Sequence, residues 1–300
     1  MWCGHRLHNV CRRTSSDWFQ RWVMPAVTVD GVTCPQNEKG CCYDPNSPGS
    51  LSPCEDFTGT VCHNGACIGD RACRKAGYNV GSVGVISESC VGRLSCSSAG
   101  SFSGSVGDIT GGSCYGIGGL ACLFAGGNRG RVGEISGGSC DGDNACNSAG
   151  YTTGSVGDIT GGSCAGTQAC AGAGQSGGSV GDIAGGSCDG FQACSNAGRQ
   201  DGSVGDITGG SCDGGRACYY AGYQDGSVGA ITDGSCSGTQ ACYYAGYQDG
   251  SIGDITGGSC NGDHACYRAG SSSGSVGDIT CGTCNGHRAC YYAGSDSGNV

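Results

Sequence analysis

One unit of 24 residues, repeated along most of the chain, constrains this sequence more than any other feature. The stretch GSCSGTQACYYAGYQDGSIGDITG occupies positions 234–257; it begins almost unchanged at Gly210 and returns at Gly258. A fixed period of roughly 20–50 residues is typical of solenoids, in which each repeat is one coil and stacked coils share a narrow core. The period therefore predicts a solenoid.

Each repeat contains two cysteines, which are usually six positions apart. The first cysteines are Cys67, Cys90, Cys114, Cys140, Cys164, Cys188, Cys212, Cys236, Cys260 and Cys284. The second cysteines are Cys73, Cys96, Cys122, Cys146, Cys170, Cys194, Cys218, Cys242, Cys266 and Cys290. These positions define ten repeats, one of them a residue shorter than the rest and one, containing YGIGGLAC, two residues longer.

The cysteines matter because the composition cannot supply an ordinary core. Glycine accounts for 65 of the 300 residues and cysteine for 28, whereas there are five Phe and two Met. Glycine loses much conformational entropy on folding and buries little apolar area, so we expect disulfides to supply the missing constraint. A cysteine content this high is typical of oxidising compartments, and it predicts an extracellular or cell-surface location.

Charge and hydropathy argue against two classes of partner. The net charge of −10 disfavours nucleic acid, and no apolar stretch approaches the roughly 18 residues of a membrane-spanning helix. The N-terminal stretch MWCGHRLHNVCRRTSSDWFQRWVMPAV also lacks the continuous apolar region of about 7–15 residues that a signal peptide has. That observation conflicts with the cysteine count, to which we give more weight.

Residues 1–61 differ in composition from the repeats. They contain all three Trp and six cysteines, and the stretch CCYDPNSPGSLSPC is rich in turn-forming residues. The terminal coils of a solenoid need covering. We therefore expect residues 1–61 to be a disulfide-rich cap and residues 62–300 to be the repeat solenoid.

Apolar residues recur at fixed positions and predict the core. A valine column includes Val83, Val156 and Val204, an isoleucine column includes Ile86 and Ile159, and alanines flank the second cysteine. Because β-branched residues favour strands, the predicted class is all-β, a single-chain β-solenoid of about ten 24-residue coils. The alternative is an α/β solenoid in which a segment such as CSGTQACYYAG forms a short helix, with a polar N-cap and a glycine at its end.

Two glycines of the repeat never vary. One lies two positions after the first cysteine, as Gly142 does, and the other lies four positions after the second, as Gly150 does. Only glycine adopts a positive φ at low cost. We therefore predict that both positions are turns.

The regular cysteine spacing leaves the connectivity open. A pair within one coil and a pair between adjacent coils both meet the Cα separation of about 4.4–6.8 Å that a disulfide needs, and free, buried thiols are a further alternative. The spacing does not match zinc ligation, because CxxC motifs and a regular histidine are missing from the repeat. We expect no metal and no cofactor.

The segment Cys236 to Ala245, with its C-x5-C-x-x-A pattern, resembles the repeat of beetle antifreeze proteins over about half of each unit. That family is a disulfide-bridged β-solenoid that binds ice through a flat Thr-x-Thr face. Here Ser precedes the first cysteine and varied residues follow it, so the family's ice-binding residues are not carried over. The repeat also resembles the Gly/Cys-rich SCxGxxAC repeats of surface proteins from microalgae.

Three columns of polar or aromatic residues are expected to face outward. The candidate binding residues are Thr110, Thr160, Thr208, Thr232, Thr256 and Thr280, together with Tyr219, Tyr220, Tyr243, Tyr244, Tyr291 and Tyr292. The threonines, together with the serines that precede the first cysteines, would form a hydroxyl lattice for ice or polysaccharide, or they would simply solvate a strand. The tyrosines would contact sugar rings or a partner, or cover the flank of the rod.

The third column is acidic and includes Asp108, Asp158 and Asp206. Its carboxylates would either extend into water or hold a cation such as Ca²⁺ between them. The five histidines share no repeat position, so no catalytic set is predicted.

The sequence thus favours a non-enzymatic structural or adhesive rod that is secreted or displayed at the cell surface. The alternative function is binding of ice or polysaccharide through the Ser/Thr face. The expected partners are ice, polysaccharide or cell-wall matrix, and end-to-end self-association of the rods is a further expectation.

Overall fold

The structure is a computed structural model, which describes residues 27–29, 32–34, 61–63, 66–116, 118–270 and 272–294. Within these residues the repeats form stacked coils whose strands run parallel, so the chain is a β-solenoid. In this part of the chain there is no helix long and apolar enough to cross a membrane.

Three strands come before the first described coil in the sequence, and the third of them pairs with a strand of the coils. Strands β1 (Val27–Val29) and β2 (Val32–Cys34) form an antiparallel hairpin. Strand β3 (Val61–His63) pairs in parallel with β5 (Val85–Ser87). The boundary expected between residues 61 and 62 therefore falls inside β3; most of the predicted cap, residues 1–61, lies outside the described residues.

The main sheet has nine parallel strands, each contributed by one coil. They are β4 (Ser82–Val83), β6 (Ser105–Val106), β7 (Arg131–Val132), β8 (Ser155–Val156), β9 (Ser179–Val180), β10 (Ser203–Val204), β11 (Ser227–Val228), β12 (Ser251–Ile252) and β13 (Ser275–Val276). Each residue pairs with its counterpart in the next repeat, as Ser203 does with Ser227. The register follows from the sequence period, because only this pairing keeps every valine on the inner face.

The predicted core is confirmed. The valine column is buried, the isoleucine column is almost completely excluded from water, and isoleucines of successive coils form parallel bridges, as Ile159 and Ile183 do. Alanines such as Ala145 and Ala149, on either side of the second cysteine, are also fully buried. The interior is therefore a thin column of small side chains.

The alternative with a short helix in each repeat is wrong for the described coils, where the segment from the first cysteine to the glycine four positions after the second is a series of bends and turns. From Asn144 to Gly150, residues with positive φ alternate with residues without it. Asn144, Cys146 and Ser148 have φ of 59°, 52° and 60°, whereas the residues between them have no positive φ. A helix needs every φ to be negative, so these residues cannot belong to one.

Backbone hydrogen bonds explain this irregular chain path. The Asn144 N–H donates to the Gly119 carbonyl of the preceding coil at 3.3 Å, and the Cys146 N–H donates to the Ala169 carbonyl of the following coil at 2.9 Å. The intervening Ala145 N–H closes a turn onto the Gly142 carbonyl. Alternate amides therefore bond to opposite neighbours, which satisfies the backbone without a regular strand.

Both glycine positions lie in turns, but a positive φ explains only one of them. Gly150 has a φ of 61°, and its counterparts four positions after each second cysteine are also left-handed. Gly142 has no positive φ, and among its counterparts only Gly69 and Gly92 do. Glycine is needed at position 142 because a Cβ there would lie 2.3 Å from the carbonyl oxygen of Gly166 in the next coil.

All ten cysteine pairs are disulfides within a single coil. Their Cα separations run from 5.4 Å for Cys67–Cys73 to 5.8 Å for several others, including Cys164–Cys170. Neighbouring bridges stack, since the Sγ atoms of Cys236, Cys242 and Cys260 all lie within 4.8 Å of one another. Of the cysteines in the described repeats, Cys281 is a free, exposed thiol.

Candidate functional surfaces

The serines that precede the first cysteines are buried, so the expected outward hydroxyl lattice of serine and threonine does not form. Ser163, Ser187 and Ser211 are each 0% exposed. The Ser187 hydroxyl donates to the Ala184 carbonyl at 2.8 Å and accepts the N–H of Ser211 at 3.2 Å. This serine ladder satisfies backbone groups inside the stack, because a buried hydroxyl without partners would be costly.

The six threonines predicted as binding residues lie on one side of the coil, immediately after the buried isoleucines. They are partly buried, except for the exposed Thr280. Ser136 and Ala184 interrupt the column, and four successive coils from Thr208 to Thr280 carry threonine. Because the serines are buried, the threonine column is the only part of the predicted hydroxyl face that reaches the surface of the described coils.

The acidic column lies two residues before the threonines and is exposed. Its carboxylates bond to the neighbouring coil: Asp182 Oδ1 accepts the Asp158 N–H at 2.8 Å, and Asp206 Oδ1 accepts the Asp182 N–H at 2.9 Å. Each carboxylate thus accepts a hydrogen bond from a backbone amide of the preceding coil. The sequence predicted only that these carboxylates extend into water or bind a cation. It could have suggested this hydrogen bond, because a charge-assisted bond to backbone offsets like-charge repulsion.

A second column of Asp and Asn follows the first cysteines and bonds in the same way. Asp141 Oδ1 accepts the Tyr115 N–H at 3.2 Å, and burial raises the pKa of Asp141 to about 6. At the equivalent position Asn261 accepts the Ser237 N–H at 2.8 Å and donates to the Gly258 carbonyl at 3.1 Å. The amide therefore makes a bond that an ionised carboxylate cannot make.

The predicted tyrosines belong to a larger aromatic surface on the last four described coils. Tyr219, Tyr243, Tyr267 and Tyr291 stack face to face, with ring centroids 5.2, 5.3 and 4.9 Å apart and planes within 15° of parallel. Sequence reasoning missed Tyr267 because Arg268 follows it, although it occupies the same repeat position as Tyr243. We call this set the tyrosine stack.

A second column runs beside the tyrosine stack. Tyr220 and Tyr244 stack at 5.4 Å, and Arg268 continues the column with its guanidinium 5.5 Å from the Tyr244 ring and 5.8 Å from the Tyr292 ring. Arg268 Nη1 also donates to the Tyr292 hydroxyl at 3.3 Å. Cation–π contacts thus replace one missing ring.

The surface extends to a third column, in which Tyr223 and Tyr247 stack at 5.4 Å. Burial and neighbouring phenols raise the pKa of Tyr219 to about 12 and also raise that of Tyr243. The Tyr219 and Tyr243 phenols are therefore neutral at physiological pH. Since the ring faces already contact one another, the interior rings present their edges and hydroxyl groups rather than their faces to a ligand.

Two other features lie near this surface. The His264 and His287 rings are 5.9 Å apart although they occupy different repeat positions, so the repeat pattern alone does not reveal this contact. A shallow, open depression is lined by Gln224, Asp225, Gln248, Asp249, Ser272 and Ser273. Neither feature includes a residue that was predicted as a site.

Comparisons with family models, with curated proteins and with solved structures return no match to this chain.

Proposed function

We propose that this chain is a non-enzymatic structural rod that works outside the cell or at its surface, as a spacer, coat component or adhesive element. The observation that carries the proposal is the use of the repeated polar residues. Serine hydroxyls and aspartate carboxylates, coil after coil, bond to the backbone of the neighbouring coil. The repeat is thus built to hold the stack together rather than to surround a substrate.

The disulfides support the proposed location. Each described coil is closed by one bridge, and the cysteines of the interior coils are 0% exposed. Disulfides in such numbers persist in oxidising compartments and are rare in the cytosol. Ten coils at about 4.8 Å each would give a rod of roughly 48 Å.

Localisation tests this proposal. Antibodies raised against the folded chain would be applied to intact cells of the source organism, and thiols would be trapped at the moment of lysis. We expect surface or matrix labelling and fully oxidised repeat cysteines. A cytosolic chain whose repeat cysteines are all reduced would contradict the proposal.

Binding of ice or polysaccharide is the second candidate, and the four successive threonines from Thr208 to Thr280 favour it. The exposed carboxylates of Asp206, Asp254 and Asp278 flank that column, which makes the face more charged than the Thr-x-Thr face of the family that the repeat resembles. We therefore rank this function below the structural rod.

A bulky substitution separates the two functions. Thr208→Tyr with Thr256→Tyr should abolish thermal hysteresis or retention on insoluble glucan or chitin if the threonine column binds either ligand. The control is Thr167→Tyr, an exposed position on another face where the next repeat carries Phe191. If the rod is purely structural, neither the parent chain nor any variant shows these activities.

A further inference from the structure

The described coils have no covalent link to one another besides the main chain. Every described disulfide joins two cysteines of the same coil, as Cys260–Cys266 and Cys284–Cys290 do. The bridges therefore fix the shape of each coil, while stacking depends on hydrogen bonds and on a thin core. A bond between coils would stabilise the rod in a way that these disulfides do not.

The tyrosine stack places reactive side chains from adjacent coils against each other. Tyr267 and Tyr291 are 4.9 Å apart between ring centroids and 3° from parallel; Tyr243 and Tyr267 are 5.3 Å apart and also 3° from parallel. Because equivalent residues occupy equivalent positions in the two coils and their rings are nearly parallel, we expect the ortho carbons of neighbouring rings to lie close together.

We propose that the tyrosine stack is a site of oxidative cross-linking, in which an enzyme of the haem-peroxidase class uses hydrogen peroxide to join neighbouring coils through dityrosine. Each of two phenols loses one electron and one proton, and the resulting radicals form a carbon–carbon bond between their ortho carbons. The hydrogen on each coupled carbon then returns to the phenol oxygen. Two tyrosines and one hydrogen peroxide thus give one dityrosine and two water molecules.

The geometry favours coupling inside the chain over coupling between chains. Rings of successive coils are already in contact, so the reacting carbons are held at a high effective concentration, as in other well-oriented intramolecular reactions. The four tyrosines are only half-buried, and their exposed part leaves a path for electrons and protons to the oxidant. Tyr78 and Tyr151 lie against Phe102 and Phe124 instead, and among the described residues neither has a tyrosine ring stacked on it.

Trypsin offers a direct readout. Cleavage after Arg216, Arg268 and Arg288 leaves Tyr267 and Tyr291 on the separate peptides 217–268 and 289–300. The dilute, folded full-length chain would be treated with a haem peroxidase and hydrogen peroxide, and the monomer would then be isolated, reduced, alkylated and digested. We expect dityrosine fluorescence in the monomer and a mass-spectrometric species that joins these two peptides.

Two variants make the result specific. Tyr267→Phe should lower the yield of the joined peptides at least tenfold, whereas Tyr151→Phe, the matched control on a distant coil, should leave it unchanged. Oxidising the reduced, denatured chain should also remove the preference for this pair. The proposal is overturned if dityrosine occurs only in covalent dimers, or if Tyr78 and Tyr151 are cross-linked as often as the tyrosine stack.

Discussion

At the scale of single residues, side chains that look outward-facing in the sequence are used to join coils. Ser187 and Asp182 both bond to the backbone of a neighbouring coil, one from the interior and one from the surface. Sequence reasoning placed serine and threonine on a common face because both carry hydroxyls, but a hydroxyl also satisfies buried backbone groups. The repeat period predicted which residues form columns. Whether each side chain points inward or outward could be seen only from the backbone path in the structure.

The serine ladder gives the first prediction. Ser163→Ala should lower the free energy of unfolding by about 1–3 kcal/mol, because the Thr160 carbonyl and the Ser187 N–H lose the hydroxyl that bonds both. Thr160→Ala is the control and should change stability by less than about 0.5 kcal/mol, since Ala184 occupies that position naturally. Denaturant unfolding of both variants measures the difference; equal losses would contradict this role of the hydroxyl.

The second prediction concerns Asp141. Its raised pKa, about 6, means that the folded state favours the protonated carboxyl. Its contribution to stability is therefore complete below the unfolded pKa of about 4 and is lost as the pH rises through about 6. Asp141→Asn should stabilise the chain at pH 7 by about 1 kcal/mol, after allowing for solvent screening of this half-buried group.

Asn261→Asp is the reverse control for that prediction. It should destabilise the chain at pH 7 but much less at pH 4, because the protonated acid can donate as the amide does. Thermal melts at the two pH values would check both variants. A gain from Asp141→Asn that is equally large at pH 4 and pH 7 would rule out the carboxyl charge as its cause.

At the scale of the repeat element, the sequence predicted strands, core columns, the coil period and the two glycine turns, but it did not predict the left-handed backbone of the non-glycine residues around the cysteines. Intrinsic preferences disfavour left-handed backbone for residues such as Gln240 and Tyr244, yet both have positive φ. Bonding to both neighbouring coils overrides that preference, and it does so only after the coils stack. Gly142 was misinterpreted for the same reason, since the approach of another coil is invisible in a single repeat.

The third prediction compares two glycines of one coil. At one, a residue with a side chain would only have to adopt a positive φ; at the other, its side chain would also clash with the neighbouring coil. Gly174 and Gly162 have φ of 60° and 76°; a Cβ on Gly174 would lie 2.1 Å from the Ser155 carbonyl oxygen, whereas the nearest atom to a Cβ on Gly162 is 3.9 Å away. Gly162→Ala should cost about 1–2 kcal/mol, which is the left-handed penalty alone. Gly174→Ala should cost at least about 3 kcal/mol. Similar losses in thermal or denaturant unfolding would show that the clash is relieved cheaply.

At the scale of the whole molecule, the described repeats form a column of small coils, each closed by one disulfide. An interior coil contributes two cysteines, two alanines, one valine and one isoleucine to the core, except that Ser95 replaces one alanine in the coil of Cys90 and Cys96. The disulfides of neighbouring coils stack along this core. Stability in such a stack is nearly a sum of coil terms and nearest-neighbour terms. With so little apolar area in each coil, we expect the coil terms to be unfavourable once the bridges are opened.

The most direct test is small-angle X-ray scattering of the full chain before and after reduction. The chain would be reduced in denaturant and returned to buffer with the reductant still present, so that the thiols stay unmodified. We expect a compact rod before reduction and an expanded chain afterwards, with a radius of gyration approaching about 60 Å. A reduced chain that regains the scattering profile of the oxidised rod would show that the disulfides do not hold the coils in shape.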